Sequence, residues 1–157
     1  MRRFFSQYME EKMTSDDSII MITADLGYGL FDEIKKKFPG RFINCGASEQ
    51  LMMGLCVGAS YEGKTAVAYS ITPFLLYRPF EIIRNYVDKE SLNIKMIGSG
   101  RDKDYEHDGF SHWAEDDKKF MASFNNINSR WPELNNIEYE LDQAFNSKEP
   151  YYINLKR

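Results

Sequence analysis

Apolar and polar positions alternate between two periods along this chain. Phe4, Phe5, Tyr8, Met9 and Met13 recur at helical spacing and predict an amphipathic helix over residues 3–13. Ser18-Ile19-Ile20-Met21-Ile22-Thr23 is a short β-rich run with the profile of a strand covered on both faces. A helix over 30–38 stops at Pro39-Gly40, a brief strand covers 41–44, and Gly46-Ala47-Ser48 leads into a helix over 49–61. A strand over 64–70, a helix over 74–88 and a strand over 94–98 follow. A polar loop over 99–113 then holds both histidines. Helices over 116–123 and 134–145 and a strand over 151–155 close the series. Strands separated by helices imply parallel βαβ crossovers, and so an α/β fold: a three-layer α/β/α sandwich with a mostly parallel sheet. No repeat or linker divides residues 1–157, so a single domain is expected. The stretch holding Asn125, Asn126, Asn128, Asn135 and Asn136 reads as solvated surface.

The helix after Glu49 is unusual. Leu51, Met52, Met53, Leu55, Cys56 and Val57 occupy nearly every side of it, with Gly54 and Gly58 between them. A helix apolar all round is buried all round. Two interior glycines cost about 1 kcal/mol each relative to Ala, which close helix–helix approach would offset. Either this helix is central to the domain, or one of its faces meets another subunit.

Composition narrows the classes. The chain has 157 residues, 43% hydrophobic and 28% charged, a balance that excludes disorder. With 20 Lys and Arg against 24 Asp and Glu the net charge is -4, which argues against a dedicated nucleic-acid binder. Cys45 and Cys56 form no CxxC or Cys/His ligand pattern, so no metal ligands are assigned and a reduced, cytoplasmic protein is expected. Glu10 and Glu11 fall where a signal peptide needs its apolar run. The longest uncharged stretch, 65–77, is shorter than the about 18–20 residues that span a bilayer.

Three features could carry chemistry. Glu49 opens the apolar helix; a carboxylate is favoured there by the helix dipole, yet beside apolar surface it calls for a partner. His112, with Glu106, His107, Asp108 and Ser111, lies in a loop beyond a strand's carboxyl end, where open α/β sheets bind ligands. The same loop also reads as plain solvated surface. Phe74, Tyr77 and Phe80 run along a helix start behind Pro73, as core or as a shelf for a ring. No P-loop, GxGxxG, GxSxG or HExxH occurs.

Taken together, the segments resemble the pyrimidine-binding domain of the transketolase family of thiamine diphosphate enzymes. Ile22-Thr23-Ala24-Asp25-Leu26-Gly27 is similar to its strand ending in ADL, and Phe38-Pro39-Gly40-Arg41-Phe42 through Gly46-Ala47-Ser48-Glu49-Gln50 to its FP-x-R-F…G-x-x-EQ segment. Glu62-Gly63-Lys64 falls where the family has EGK. Pro73-Phe74-Leu75 and Arg78-Pro79-Phe80-Glu81 with Ile83-Arg84-Asn85 resemble PFL…RAYEQIRN. Asp108-Gly109-Phe110-Ser111-His112 resembles DGPTH, and Tyr152-Ile153-Asn154-Leu155-Lys156-Arg157 the closing YIRLSR strand. Six motifs in order over nearly the whole chain make the resemblance specific.

The resemblance implies a role for each of these residues. Glu49 would contact N1′ of the aminopyrimidine and help catalysis, with Phe74, Tyr77 and Asp25 also on the cofactor. His112 would serve catalysis and, with Asp108, contact the sugar's hydroxyls, with Arg157 on its phosphate and Arg101 also on the substrate. Gly100 stands where transketolases commonly have a phosphate-binding His, Gly29 where they have a Ser, and Phe110 replaces the proline of DGPTH. The GDG…N motif that holds magnesium and the diphosphate is missing, as is the family's C-terminal domain. The expectation is therefore the smaller subunit of a split transketolase, self-associating through the 49–61 helix. Its pyrophosphate-domain partner would have about 250–300 residues and carry the metal ligands. The rival readings are a 1-deoxyxylulose-5-phosphate synthase-like enzyme, a 2-oxo acid dehydrogenase E1 β-like subunit, and a non-catalytic dimerisation or regulatory module.

Overall fold

A computed structural model describes residues 1–157. Six strands build one sheet: β1 (Ile19–Thr23), β2 (Phe42–Asn44), β3 (Thr65–Ile71), β4 (Ile94–Ser99), β5 (Asn128–Arg130) and β6 (Tyr151–Leu155). Their order is β2-β1-β3-β4-β6-β5, and every neighbouring pair is parallel. The central strands β3 and β4 are buried almost throughout, as continuous apolar runs in a sheet covered on both faces require. On one face lie α1 (Arg2–Ser15), α2 (Asp32–Lys37) and α7 (Ile137–Phe145), which bring Phe5, Met9, Met13, Ile34 and Leu141 against Val67, Tyr69 and Ile97. On the other lie α3 (Glu49–Tyr61), α4 (Thr72–Tyr77), α5 (Phe80–Ile82) and α6 (Asp117–Met121), where Met52, Met53, Cys56, Leu75 and Met121 pack on Ala66, Ala68 and Met96. The three-layer sandwich is the architecture expected from the alternation of periods.

Three expectations change. The helix over 74–88 is interrupted: α4 ends at Tyr77, Pro79 cannot continue its hydrogen bonds, and after α5 the chain winds as a π-helix over Ile83–Asp88. That winding delivers the buried Asp88, whose Oδ1 accepts the backbone N–H groups of Asn125 and Asn126, each at 2.8 Å. The asparagine stretch is surface, as expected, with Asn125, Asn126, Asn135 and Asn136 exposed, but these bonds fasten it to the fold and it contains β5, a short polar edge strand in place of the expected loop. Helix α3 is not buried all round: Met52, Met53, Cys56 and Val57 are buried, while Leu51, Gly54, Leu55 and Gly58 form an uncovered face. A Cβ added at either glycine would meet nothing within 4 Å. Nothing inside the chain requires them to be glycine. No helix is long and apolar enough to cross a membrane.

Candidate functional site

An all-parallel sheet has all its strand ends of one kind along one rim, and the loops at the carboxyl rim hold nearly every residue singled out above. Asp25 follows β1 with a positive φ of 47°; its N–H donates to Asn44 Oδ1 at 3.1 Å, and its carboxylate accepts Tyr28 Oη–H at 2.6 Å. Asn44 Oδ1 also accepts the Gly46 N–H at 3.0 Å, which ties the end of β1 to the turn that opens α3.

Glu49 is the first residue of α3 and is 3% exposed. Its Oε2 accepts a hydrogen bond from Arg78 Nη1 at 2.7 Å. The same guanidinium lies over Phe74, with Cζ 3.8 Å from the ring centroid. His112 meets Phe74 edge-on at 4.8 Å between centroids, and its Nδ1 is 3.0 Å from Ser111 Oγ. Tyr105 comes next, 6.4 Å from the imidazole. A run of contacts therefore joins Glu49, Arg78, Phe74, His112 and Tyr105, residues drawn from three segments of the chain.

Tyr77 lies one turn beyond Phe74, but its contacts lead elsewhere. Its ring packs edge-on against Phe120 at 5.1 Å and its hydroxyl bonds Asp116. Burial, helped by that carboxylate, holds its hydroxyl well above the ordinary tyrosine range. Asp108 sits on an exposed turn, Glu106–Asp108, two residues short of the turn carrying His112.

Arg101, read from the resemblance as a substrate-binding residue, has most of its donors committed inside the fold. It is 6% exposed, and all three guanidinium nitrogens are engaged: Nε with Asn154 Oδ1 at 3.0 Å, Nη1 with Glu133 at 3.0 Å, and Nη2 with the carbonyls of Pro132 and Asn154 at 2.8 and 2.7 Å. Only one N–H, on Nη1, is left without an internal partner. Gly100 also has a physical reason. At φ 89°, a Cβ there would lie 2.3 Å from the Tyr105 ring, so Tyr105 fills the space that a side chain at 100 would need.

Arg157 sits elsewhere on the rim, lining an open cavity of about 850 Å³ with Arg2, Arg3, Ser6, Tyr28 and Gly29. No acidic residue lines it. Tyr105 connects this cavity to the His112 side: Arg157 Cζ is 4.9 Å from its ring centroid, and Arg2 Nη1 donates to its hydroxyl at 3.2 Å. Arg2, Arg3 and Arg78 escaped the sequence reading. The first two stand at the opposite end of the chain from Arg157, and only the fold unites them.

The family model described as the transketolase pyrimidine-binding domain matches residues 1–157. A putative transketolase C-terminal section from Methanocaldococcus jannaschii is 32% identical over 128 residues, covering 81% of this chain and 40% of that protein. One subunit of an apulose-4-phosphate transketolase from Actinobacillus succinogenes is 33% identical over 121 residues, covering 76% of this chain and 39% of the relative. Among solved structures, a split-gene transketolase described as an inactive beta4 tetramer superposes with a TM-score of 0.86 at 30% identity, over 99% of this chain and half of that one. The chain thus spans half or less of the length of the relatives it matches.

Proposed function

Because the chain belongs to the transketolase family, whose pyrimidine-binding domain it carries, we propose that it supplies one half of a thiamine diphosphate site. With a second polypeptide it would transfer two-carbon ketol units between sugar phosphates. The observation that carries this reading is Glu49: a sequestered carboxylate at a helix start, beside an aromatic face and with one cationic partner. Such a group fits a flat heterocycle with a protonatable nitrogen. Glu49 holds a proton at N1′, and its burial strengthens that coupling by lowering the local dielectric. The cofactor, when bound, supplies the electron sink for making and breaking the bond beside a ketose carbonyl. Phe74 offers the ring a stacking face, Tyr77 adds apolar wall one turn on, and Asp25 steadies the rim through Asn44.

His112, in the contact run with Phe74, meets the sugar and moves a proton at its hydroxyl, with Asp108 orienting neighbouring hydroxyls. The phosphate end belongs in the cavity of Arg2, Arg3 and Arg157, where guanidinium forks match phosphate oxygens. A relative named for a sugar phosphate supports that end of the reading. Ligands for magnesium and the diphosphate belong to the second polypeptide, which carries GDG…N. The uncovered face of α3 takes a second copy of this chain, a reading supported by the tetramer of beta chains in the split-gene relative. The free thiols Cys45 and Cys56 suit the cytoplasm.

Recovery of the tagged chain from its source, with thiamine diphosphate and magnesium present, should bring down an equimolar protein bearing GDG…N. In that complex Glu49→Ala should slow ketol transfer by about 10²–10⁴-fold, while a loss within about tenfold would remove Glu49 from the chemistry. Failure to recover any partner would favour a binding module instead.

A further inference from the structure

Arg78 makes two contacts with one flat group. Its guanidinium donates to the buried Oε2 of Glu49 at 2.7 Å and lies 3.8 Å from the centroid of Phe74. A protonatable aminopyrimidine would recognise the same two residues by the same two means, a stacked face and an N–H shared with the carboxylate. While the guanidinium lies there, the Phe74 face it covers and the Oε2 it bonds are closed to the ring. We propose that Arg78 is an internal ligand of the pyrimidine pocket, competing with the ring and released toward solvent when the ring arrives. This inference rests on the assignment of Glu49 and Phe74 as the ring-binding pair.

The surroundings suit an exchange. Glu49 is 3% exposed, and a buried carboxylate without a counter-charge is strongly unfavourable, so the empty chain needs a cation there. Arg78 meets that need from the mouth of the site, its side chain 45% exposed and able to reach water. Its backbone stays behind. Arg78 lies between the end of α4 and the helix-breaking Pro79, and its carbonyl accepts Gln50 Nε2 at 3.3 Å. The side chain can therefore leave without moving the helices. Because the Arg78 side chain is half-exposed, its two contacts together amount to roughly a tenfold penalty on ring binding.

The test uses the full chain and the ring alone, 4-amino-5-hydroxymethyl-2-methylpyrimidine, titrated to millimolar concentration. Both proposed ring contacts belong to this chain, so no partner is required. Binding is read from the NMR signals of the Glu49 carboxyl and the Phe74 ring. Arg78→Met should bind the probe roughly tenfold more tightly than the parent while melting at lower temperature, and Glu49→Gln should bind it more weakly. Arg78→Lys, which keeps a charge but loses the planar face, should fall between parent and Met, and it serves where the Met variant fails to fold. Binding by Arg78→Met equal to or weaker than the parent's, with Glu49→Gln still impaired, overturns the competition and leaves the ring site standing. No binding by parent or variants overturns both.

Discussion

Lys95, near the start of the central strand β4, is fully buried, and its Nζ donates to the carbonyls of Ser147 at 3.0 Å and Glu149 at 2.5 Å in the loop before β6. Desolvation, with repulsion from Lys148 and partial relief from Glu149, pushes its pKa down from 10.5 to about 7. A neutral amine still has two N–H donors for the two carbonyls, so the fold tolerates deprotonation. The sign follows. Between about pH 7 and 10.5 the unfolded chain binds the extra proton, so stability rises with pH across that window and is depressed below it. The melting temperature of the parent minus that of Lys95→Met should therefore increase from about pH 6 to about pH 9, each unit of titration gap contributing about 1.4 kcal/mol. A flat difference would mean that the amine keeps its proton throughout. Asn154 is a second residue on which much depends: its amide donates to Asp117 at 2.9 Å and to Thr72 at 3.1 Å, and its Oδ1 holds Arg101. Asn154→Leu takes one donor from the buried Asp117 and one acceptor from the buried Arg101, which keep their other partners, and urea unfolding should show a loss of about 1–3 kcal/mol. This network gives Arg101 internal partners that the sequence reading did not foresee. An arginine beside a substrate loop looks the same in sequence whether its partners are phosphate oxygens or main-chain carbonyls. Glu49, Phe74 and His112, which the fold brings into one run of contacts, were singled out because each sits in a motif of fixed local spacing.

At the scale of elements, α3 separates two kinds of stability. Gly54→Ala and Gly58→Ala fill open space, so each should stabilise the isolated chain by up to about 1 kcal/mol through helix propensity. If a second copy rests on that face, the added methyl groups hold the backbones apart and weaken the dimer. Urea midpoints and sedimentation velocity on the same variants should move in opposite senses; association that survives both substitutions would mean that the copies meet elsewhere. The bounds of α3 were read correctly because its turn, its acidic start and its apolar run agree with one another. The break after Tyr77 was not, since one strong helical period spans residues 74–88 and outweighs the single proline. Strand β5 was missed because Asn128, Ser129 and Arg130 carry no hydrophobic alternation, and only the neighbouring Tyr152 and Ile153 make them a strand.

For the whole molecule, the alternation of strand and helix was enough to give the class, because parallel strands need crossovers and crossovers need helices. What it could not give was the company of residues remote in sequence, such as Arg2 beside Tyr105, more than a hundred positions apart. That meeting has a practical side. Met1 and Arg157 line the same cavity, so a bulky group joined to either residue stands at the doorway proposed for the sugar phosphate. A purification handle joined to either residue would crowd that doorway and imitate a loss of affinity. The turn Glu62-Gly63-Lys64 is exposed and lies at the amino rim, across the sheet from the rim that carries Glu49 and Arg157. An epitope inserted there should leave turnover and sugar-phosphate affinity as they are in untagged protein, and a terminal tag compared with it would show how much free room the doorway needs.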